Sequence, residues 1–481
     1  MTKKYILQLA LGGMLALTAA SCNDRLDIEP QDSVDVTKAL TTSGDVESAV
    51  IGMYSLLGTP ELYGTNLNLL PELLASDNYI SWQGTFASYR TLARHTLDAT
   101  NAEASRTWIS GFEAINLANT VIKALPVVDA DLKAQLEGEA LFVRGIMHFE
   151  LVRLYAQNYE PGGANTQLGV PIALQSAANE AEAAVTQPRA TVAEVYQQVI
   201  ADLIKAESLL PESSDRNIRA TKYVASAFLA RVYLQQGDYA KALEKANSVI
   251  ASGNYNLNPI VSLAFRNRNT AESIFEIQQN DQNNAGNSND GLTTFYASLP
   301  GNIGRGDVRI LGEDDIPQNE FGVTTLYQQF EPNDTRLTDL IYEGTGARPG
   351  RLRNGKYTEF GANIPVVRLA EMYLIRAEAN FRLGSGVGAE PLEDINLIRN
   401  RAKATPLTTV TLEDILLERQ FELAYEGFRV HDLKRTQGQL LVLDNDGLIE
   451  ETISYDDPIL VLPIPQREMD ANKLLVQNEG Y

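Results

Sequence analysis

Cysteine is almost absent from this chain, and Cys22 is the only one among 481 residues. A single cysteine cannot form an internal disulfide and offers no cysteine cluster for structural zinc. Histidine is equally scarce: His95, His148 and His431 stand far apart, with no second histidine at metal-ligand spacing. The composition therefore predicts no resident metal and no cofactor.

Positive charge is also scarce. The chain has 40 Lys and Arg residues against 62 Asp and Glu residues, which gives a net charge of −22. Proteins that bind nucleic acid neutralise phosphates with Lys and Arg. We therefore predict no nucleic-acid partner, and the acidity is typical of a solvent-exposed surface that must stay soluble.

Long hydrophobic runs are missing except at the start, where residues 6–20 follow Lys3 and Lys4. This run is too short for a comfortable membrane span and matches a secretory signal peptide. Cys22 follows "TAAS", the position at which lipoproteins carry their acylated cysteine. We predict a lipoprotein signal peptide over residues 1–21 and an acylated Cys22 with a polar tether over residues 22–45. The alternative is an ordinary signal peptide cleaved nearby.

Helical periodicity begins at about Val46. The segments "SRTWISGFEAINLANTVIKAL" and "LKAQLEGEALFVRGIMHFELVRLYAQ" carry apolar residues at three- and four-residue spacings. The segment "TVAEVYQQVIADLIKAESLLP" begins with Thr191, and Glu194 stands three residues later, as in a helix capping box. These patterns predict a predominantly α-helical protein.

The clearest repeat is "TKYVASAFLARVYLQQGDYAKALEKANSVI", which has the spacing of a tetratricopeptide helix pair. Small Ala230 and Ala242 allow the two helices to approach, and Gly237 allows the turn between them. Ala377 and Gly384 repeat the first half of the pattern. We predict a single domain over residues 46–481, built from such helix pairs and interrupted by a large loop-rich irregular segment at about 252–363.

Three carboxylates are candidates for catalysis. Glu418, Glu422 and Glu426 stand at four-residue steps, so a helix would place them on one face. Two of them could form the acid–base pair of a glycoside hydrolase. Arg419 and Arg429 stand nearby, however, and the same spacing suits a salt-bridged structural helix, which we favour. We predict that the protein is not an enzyme.

Two stretches combine aromatic rings with amide and charged groups, the combination that binds sugars. A sugar ring has an apolar face that stacks on aromatic rings and hydroxyl groups that need hydrogen-bonding partners. The candidate ligand-binding residues are Asp77, Asn78, Tyr79, Trp82, Tyr89 and Arg90 in the first stretch, and Asn283, Asn284, Phe295 and Tyr296 in the second.

Several segments, in order along the chain, resemble the SusD/RagB family of outer-membrane nutrient-binding lipoproteins. They are "SCNDRLDIEP", "RLAEMYLIRAEA", "ERQFELAYEGFRVHDLKR" and "PIPQREMDANKLLVQNEGY". The resemblance implies a tetratricopeptide scaffold with an irregular half that faces the ligand. It also implies a lipid-anchored protein on the outside of the outer membrane.

In that family the partner is a SusC-like TonB-dependent transporter, to which the binding protein delivers its ligand. The resemblance therefore implies capture of an oligosaccharide, with peptide capture by the same architecture as the alternative. The family's ligand surface corresponds to the regions around Asp77 to Arg90 and Asn280 to Tyr296 here.

Overall fold

The computed structural model describes residues 40–177, 182, 185–214, 217–266 and 268–481, with the side chains of residues 287 and 288 excepted. The predicted signal peptide, Cys22 and the tether up to residue 39 lie outside the described residues. The first described helix begins at Ser43, three residues before the predicted start of the domain.

Seventeen helices lie in the described residues, and the predicted α-helical fold class is confirmed. In chain order they are α1 (Ser43–Leu57), α2 (Asn66–Leu74), α3 (Ala87–Ala93), α4 (Ala102–Ala124), α5 (Ala130–Tyr155), α6 (Val192–Leu209), α7 (Lys222–Gln236), α8 (Tyr239–Ala251), α9 (Leu263–Arg266), α10 (Leu292–Tyr296), α11 (Leu326–Gln329), α12 (Thr335–Thr338), α13 (Leu369–Leu383), α14 (Pro391–Arg401), α15 (Leu412–Leu423), α16 (Arg429–Arg435) and α17 (Gln466–Ala471).

Local sequence signals place the helix ends. Thr191 and Glu194 form the predicted capping box at the start of α6, with Glu194 accepting the Thr191 backbone N–H at 2.8 Å. Gly237 ends α7 in the left-handed region at φ +73°, and Gly384 ends α13 in the same way at φ +61°. Glycine adopts this conformation without the penalty that a Cβ atom brings.

The long helices pack side by side in a continuous stack. Helix α4 packs on α5, α5 on α6, α6 on α7 and α7 on α8; α8 then packs on α13, which contacts α14 and α15. Ala230 and Ala242, the small residues predicted at the α7–α8 contact, have no exposed surface. The tetratricopeptide-like pairing therefore follows from small residues that let neighbouring helices approach closely.

Short strands occur in pairs and are all antiparallel. The pairs are β1 (Ile80–Trp82) with β3 (Val308–Ile310), β2 (Ser273–Ile277) with β6 (Ile364–Arg368), β4 (Ile341–Glu343) with β5 (Leu352–Asn354), and β7 (Gln439–Leu443) with β8 (Ile449–Ser454). Four of these strands, β2 to β5, lie in the segment predicted to be irregular. Strand β3 also packs near β5, so β1, β3 and β5 meet on one side of the molecule.

One hydrophobic core joins the helical stack to the irregular segment. It extends from Val46 in α1 to Leu475 near the end of the chain, and it includes Phe275 in β2. Phe275 packs edge-on against Phe142 and Phe228, which belong to α5 and α7. The two halves therefore share one core. Within the described range, no helix is both long enough and apolar enough to span a membrane.

Candidate functional site

The structure brings the two predicted ligand-binding stretches together. Strand β1 pairs with β3, and α10 packs on β3, so the rings of Trp82, Tyr89 and Phe295 meet. The ring centroids lie 4.8 Å apart for Trp82 and Tyr89, and 5.2 Å for Trp82 and Phe295. One part of each predicted stretch therefore lies in the same place, around Trp82 and Phe295.

Most of the predicted aromatic contacts are buried, however. Tyr89, Phe295 and Tyr296 have at most 1% of their surface exposed, and Tyr79 has 2%. Tyr79 stacks on Tyr425 at 4.9 Å, and burial raises the pKa of Tyr79, Tyr89 and Tyr296 well above the usual range. A ring with no exposed face cannot stack on a sugar, so in this conformation these four side chains are core residues rather than ligand contacts.

Trp82 lies at the edge of this buried cluster. Its indole is 9% exposed, and its N–H has no hydrogen-bond partner among the described residues. Gly84 lies directly against it: a Cβ atom on Gly84 would stand 2.5 Å from Trp82 Cζ2 and 2.8 Å from Asp307 Cγ. Any side chain at residue 84 would therefore displace the indole or the carboxylate.

Asp77 and Asn78 lie at the opposite end of β1, away from the ring cluster. Asn78 adopts a left-handed conformation at φ 60°, and its amide donates to the Leu441 carbonyl of β7 at 3.3 Å. Burial raises the pKa of the Asp77 carboxyl, and the nearby His95 partly offsets this rise. The structure thus groups these two residues with the β7–β8 hairpin, and their contact with a ligand stays a prediction.

Asn283 and Asn284 lie in a turn organised by Asn280. The Asn280 side chain accepts the Asn283 backbone N–H at 2.8 Å, and the Asn284 amide donates to the Asn280 carbonyl at 2.9 Å. Asn283 is exposed and Asn284 is half-buried. These contacts shape the loop, as expected for Asn-rich turns, and a role in ligand binding again stays a prediction.

Above the buried rings lies a polar and aromatic surface of which the sequence predicted only Trp82 and Arg90. The Arg305 guanidinium covers the half-buried Phe86 ring at 5.1 Å and donates to Asp307 through Nε and Nη2 at 2.9 and 2.6 Å. The Arg305 side chain is 31% exposed, whereas Asp307 is 2% exposed. Arg90, a predicted contact, donates to the Gly84 carbonyl at 2.8 Å. We call Trp82, Phe86, Arg90, Arg305 and Asp307 the candidate face.

The candidate face has the chemistry of a sugar-binding surface. The half-buried Phe86 ring and the partly exposed Arg305 guanidinium stand within one small area, above the buried Asp307 carboxylate and the buried indole N–H of Trp82. Sugars use such groups for stacking and for hydrogen bonds that donate and accept. Gly304 and Gly306, at φ +76° and +62°, fix the loop on both sides of Arg305. The closely spaced glycines of "GNIGRGDVRI" are a sequence signal for such a loop that the sequence analysis did not use.

The three candidate catalytic carboxylates belong to a buried ion network. Helix α15 ends at Leu423, so Glu426 lies in the following turn and not on the same helical face as predicted. All three carboxylates nevertheless converge on the same cations. The paired network consists of five cations, Arg336, Lys356, Arg368, Arg399 and Arg401, and six carboxylates, Glu272, Glu331, Asp334, Glu418, Glu422 and Glu426.

Every charge in the paired network has an opposite charge close by. Glu422 accepts from Arg401 at 2.6 Å and from Arg368 at 2.9 Å. Burial alone would raise the pKa of Glu422, but Arg401 and Arg368 outweigh burial and hold the pKa well below the usual range. A general acid needs a raised pKa and access to substrate. The structural interpretation of these carboxylates therefore fits their surroundings.

A cavity of about 1040 Å³ lies elsewhere, between α4 and the C-terminal segment. Two side-chain amides that line this cavity are hydrogen-bonded to the protein's own backbone. The Asn119 amide donates to the Ala173 carbonyl at 3.0 Å, and the Asn116 side-chain oxygen accepts from the Ala177 backbone N–H at 2.8 Å. No group of three or more His, Cys, Asp or Glu residues in the described part of the chain could hold a metal ion.

Two family models match the chain. One, described as "Starch-binding associating with outer membrane", matches residues 26–234, and the SusD family model matches residues 350–481. Among curated proteins, SusD-like protein P2 of Formosa agariphila is 27% identical, with 97% of this chain and 98% of the relative covered. Starch-binding protein SusD of Bacteroides thetaiotaomicron is 26% identical over the full length of both chains.

A solved SusD superfamily structure from Bacteroides thetaiotaomicron has a TM-score of 0.78 at 25% identity, covering 91% of this chain and 99% of that one.

Proposed function

This chain belongs to the SusD/RagB family, and from that premise we propose that it captures an oligosaccharide at the candidate face. It then hands the ligand to a SusC-like TonB-dependent transporter. The protein works from the outer surface of the outer membrane, held there by an acylated Cys22. Its role is binding and delivery rather than catalysis.

The observation that carries this proposal is the Phe86–Arg305–Asp307 arrangement. Arg305 is held by Asp307 and lies over Phe86, so the guanidinium is already oriented before a ligand arrives. A group fixed in its bound position loses little conformational freedom on binding, which favours affinity. The buried rings of Tyr89 and Phe295 support this surface from below.

Two further points support the ligand class. One relative carries the name starch-binding protein, and the family model over residues 26–234 is described as starch-binding. In the candidate carboxylate trio, Glu418 and Glu422 are each ion-paired to arginine and buried, which favours a binding protein over a hydrolase.

Binding of the soluble form, residues 23–481, to a panel of polysaccharides and peptide mixtures tests the proposal. We expect Phe86→Ala to weaken binding of the best carbohydrate about tenfold, since stacking and the Arg305 position are both lost. Phe381→Ala is a matched control, because Phe381 is 38% exposed on α13 and belongs to a different surface. Affinity electrophoresis followed by calorimetry provides the measurement.

Three outcomes would contradict the proposal. Equal binding by Phe86→Ala and Phe381→Ala would remove the candidate face from the ligand site. Binding of peptides in place of carbohydrates would favour the peptide-capturing alternative. Release of shortened sugars from the polysaccharides by the purified protein would make it a hydrolase.

A further inference from the structure

The strands beside the candidate face carry an excess of arginine. Strands β3 and β5 pack together, and the loops that flank them add further guanidinium groups. We call the following set the arginine face: Arg305, Arg309, Arg348, Arg351 and Arg353. The set spans 49 positions of sequence and includes one residue of the candidate face. The two surfaces are therefore continuous.

Few carboxylates balance these cations. Asp307 accepts from Arg305 and, at 3.5 Å, from Arg348. Arg309 pairs with Asp315. Among the described residues, Arg351 and Arg353 have no carboxylate within 4.0 Å, and Arg351 is exposed. The arginine face therefore keeps a local positive charge in a chain whose net charge is −22.

Arg353 adds positive charge beneath the exposed arginines, because its side chain is buried. It has no exposed surface; Nη1 donates to the Val308 carbonyl at 2.7 Å, and Nε has no partner among the described residues. A Cβ atom on Gly306 would stand 3.0 Å from Arg353 Cζ, so the candidate-face loop rests directly on the guanidinium. Burial lowers the pKa of Arg353 to about 10, and Arg348 lowers it too, so the group stays charged at neutral pH.

The loop that presents Arg348 is held in place by close backbone contacts. The Arg348 backbone N–H donates to the Ser298 hydroxyl at 3.0 Å, and its carbonyl accepts from Arg353 at 3.3 Å. A Cβ atom on Gly346 would stand 2.3 Å from the Leu299 carbonyl oxygen. The guanidinium groups are thus displayed by a loop with little freedom to rearrange.

We propose that the carbohydrate bound at the candidate face is anionic and carries carboxylate or sulfate groups that the arginine face recognises. This inference rests on the proposed function and names its substrate class. The planar guanidinium fork matches the geometry of such oxyanions, and charge-assisted hydrogen bonds of this kind are stronger than neutral ones. A neutral glycan would leave Arg351 without a partner and would gain nothing from the positive charge beneath the loop.

The test compares anionic polysaccharides with their own neutralised forms. Polygalacturonate and alginate are assayed against carboxyl-reduced counterparts, and a sulfated galactan against its desulfated counterpart, so that the two sources of negative charge are separated. We expect at least tenfold tighter binding of one anionic form, and a preference that shrinks as salt rises.

Arg348→Gln and Arg351→Gln are each expected to reduce that binding about tenfold. Arg467→Gln, whose side chain is 71% exposed on α17, is the charge-matched control and should not.

Equal or tighter binding of the neutralised forms would overturn the inference, as would an anionic preference that survives in both arginine variants. In either case a loss of binding in Phe86→Ala would leave the proposed function standing. Failure of every carbohydrate to bind would overturn the proposed function and this inference with it. Circular dichroism and the unfolding midpoint of each variant exclude misfolding, which is not expected because both substituted side chains reach solvent.

Discussion

Two charged regions of this molecule are built on opposite principles. The paired network has six carboxylates for five cations, and each cation has a carboxylate within 2.9 Å. The arginine face sets five guanidinium groups against Asp307, Asp315 and the exposed Glu343, and two of its arginines have no carboxylate close by. Both regions lie in the C-terminal two thirds of the chain.

The difference indicates what each region is for. Buried charges that satisfy one another hold chain segments in place, and removing one partner leaves an uncompensated charge. Charges that the protein leaves unmatched at a surface are available to a ligand. The sequence suggests a catalytic role for Glu418, Glu422 and Glu426 because they stand at four-residue steps. The unpaired arginines of the arginine face are better candidates for ligand binding.

The largest effect is expected from the paired network. Glu422→Gln keeps the shape of the side chain but leaves Arg401 and Arg368 short of a negative charge, and we expect a loss of about 3–5 kcal/mol in the free energy of unfolding. Glu413→Gln, on the same helix but exposed, should change stability by no more than about 0.5 kcal/mol. Urea unfolding followed by circular dichroism measures both. Similar midpoints for the two variants would show that the network does not support the fold.

A smaller effect is expected at the loop that carries Arg305. Gly304 has φ +76°, and a Cβ atom there would stand 2.2 Å from the Ala297 carbonyl oxygen, so Gly304→Ala should cost about 2–3 kcal/mol and weaken carbohydrate binding. Gly301 has nearly the same φ, +77°, with no atom within 4 Å of a Cβ. Gly301→Ala should therefore cost only about 1 kcal/mol and leave binding unchanged. If both variants bind equally well, the geometry of the loop is not part of the site.

The effect that is smallest per pH unit concerns a buried cation that lies away from the candidate face and has no ion-pair partner among the described residues. Lys434 is 2% exposed, and its Nζ donates to the Ala156 carbonyl at 3.2 Å. Burial lowers the pKa of Lys434 to about 7, so between pH 7 and 10 the unfolded chain holds a proton that the folded chain lacks. Stability should therefore rise with pH over this window, by up to about 1.4 kcal/mol per pH unit, and the slope should vanish below pH 7.

Lys434→Met should flatten this rise and stabilise the protein at pH 7, since a buried cation is replaced by an apolar side chain of similar length. Lys473→Met, with a side chain that is 76% exposed, should keep the slope of the parent protein. Thermal unfolding at pH 7, 8 and 9 checks both. A parallel pH dependence in Lys434→Met and in the parent would show that Lys434 is charged in the folded state.

The sequence predicted the helical scaffold because the relevant signals are local. The Thr191 capping box, the Gly237 turn and the small residues Ala230 and Ala242 each act within a few residues or between neighbouring helices, and the structure has all of them. The predicted family is confirmed by the two family models that match the chain. The family could be predicted because its motifs are stretches of contiguous sequence.

The candidate site was predicted as a region but not residue by residue. Whether Phe295 or Phe86 reaches the surface depends on the pairing of β1 with β3, which joins residues more than 200 positions apart. Composition identifies aromatic rings but not which of them point inward. The arginine face was missed for the same reason, because Arg309 and Arg351 come close only where β3 packs on β5.

A crystal structure of the protein with its best-binding oligosaccharide tests the central claim most directly. We predict a sugar ring against Phe86, with ligand oxygens within about 3.2 Å of the Arg305 guanidinium and an acidic group of the ligand facing Arg348 or Arg351. A sugar bound instead in the 1040 Å³ cavity beside α4, with Phe86 and Arg305 untouched, would contradict this account.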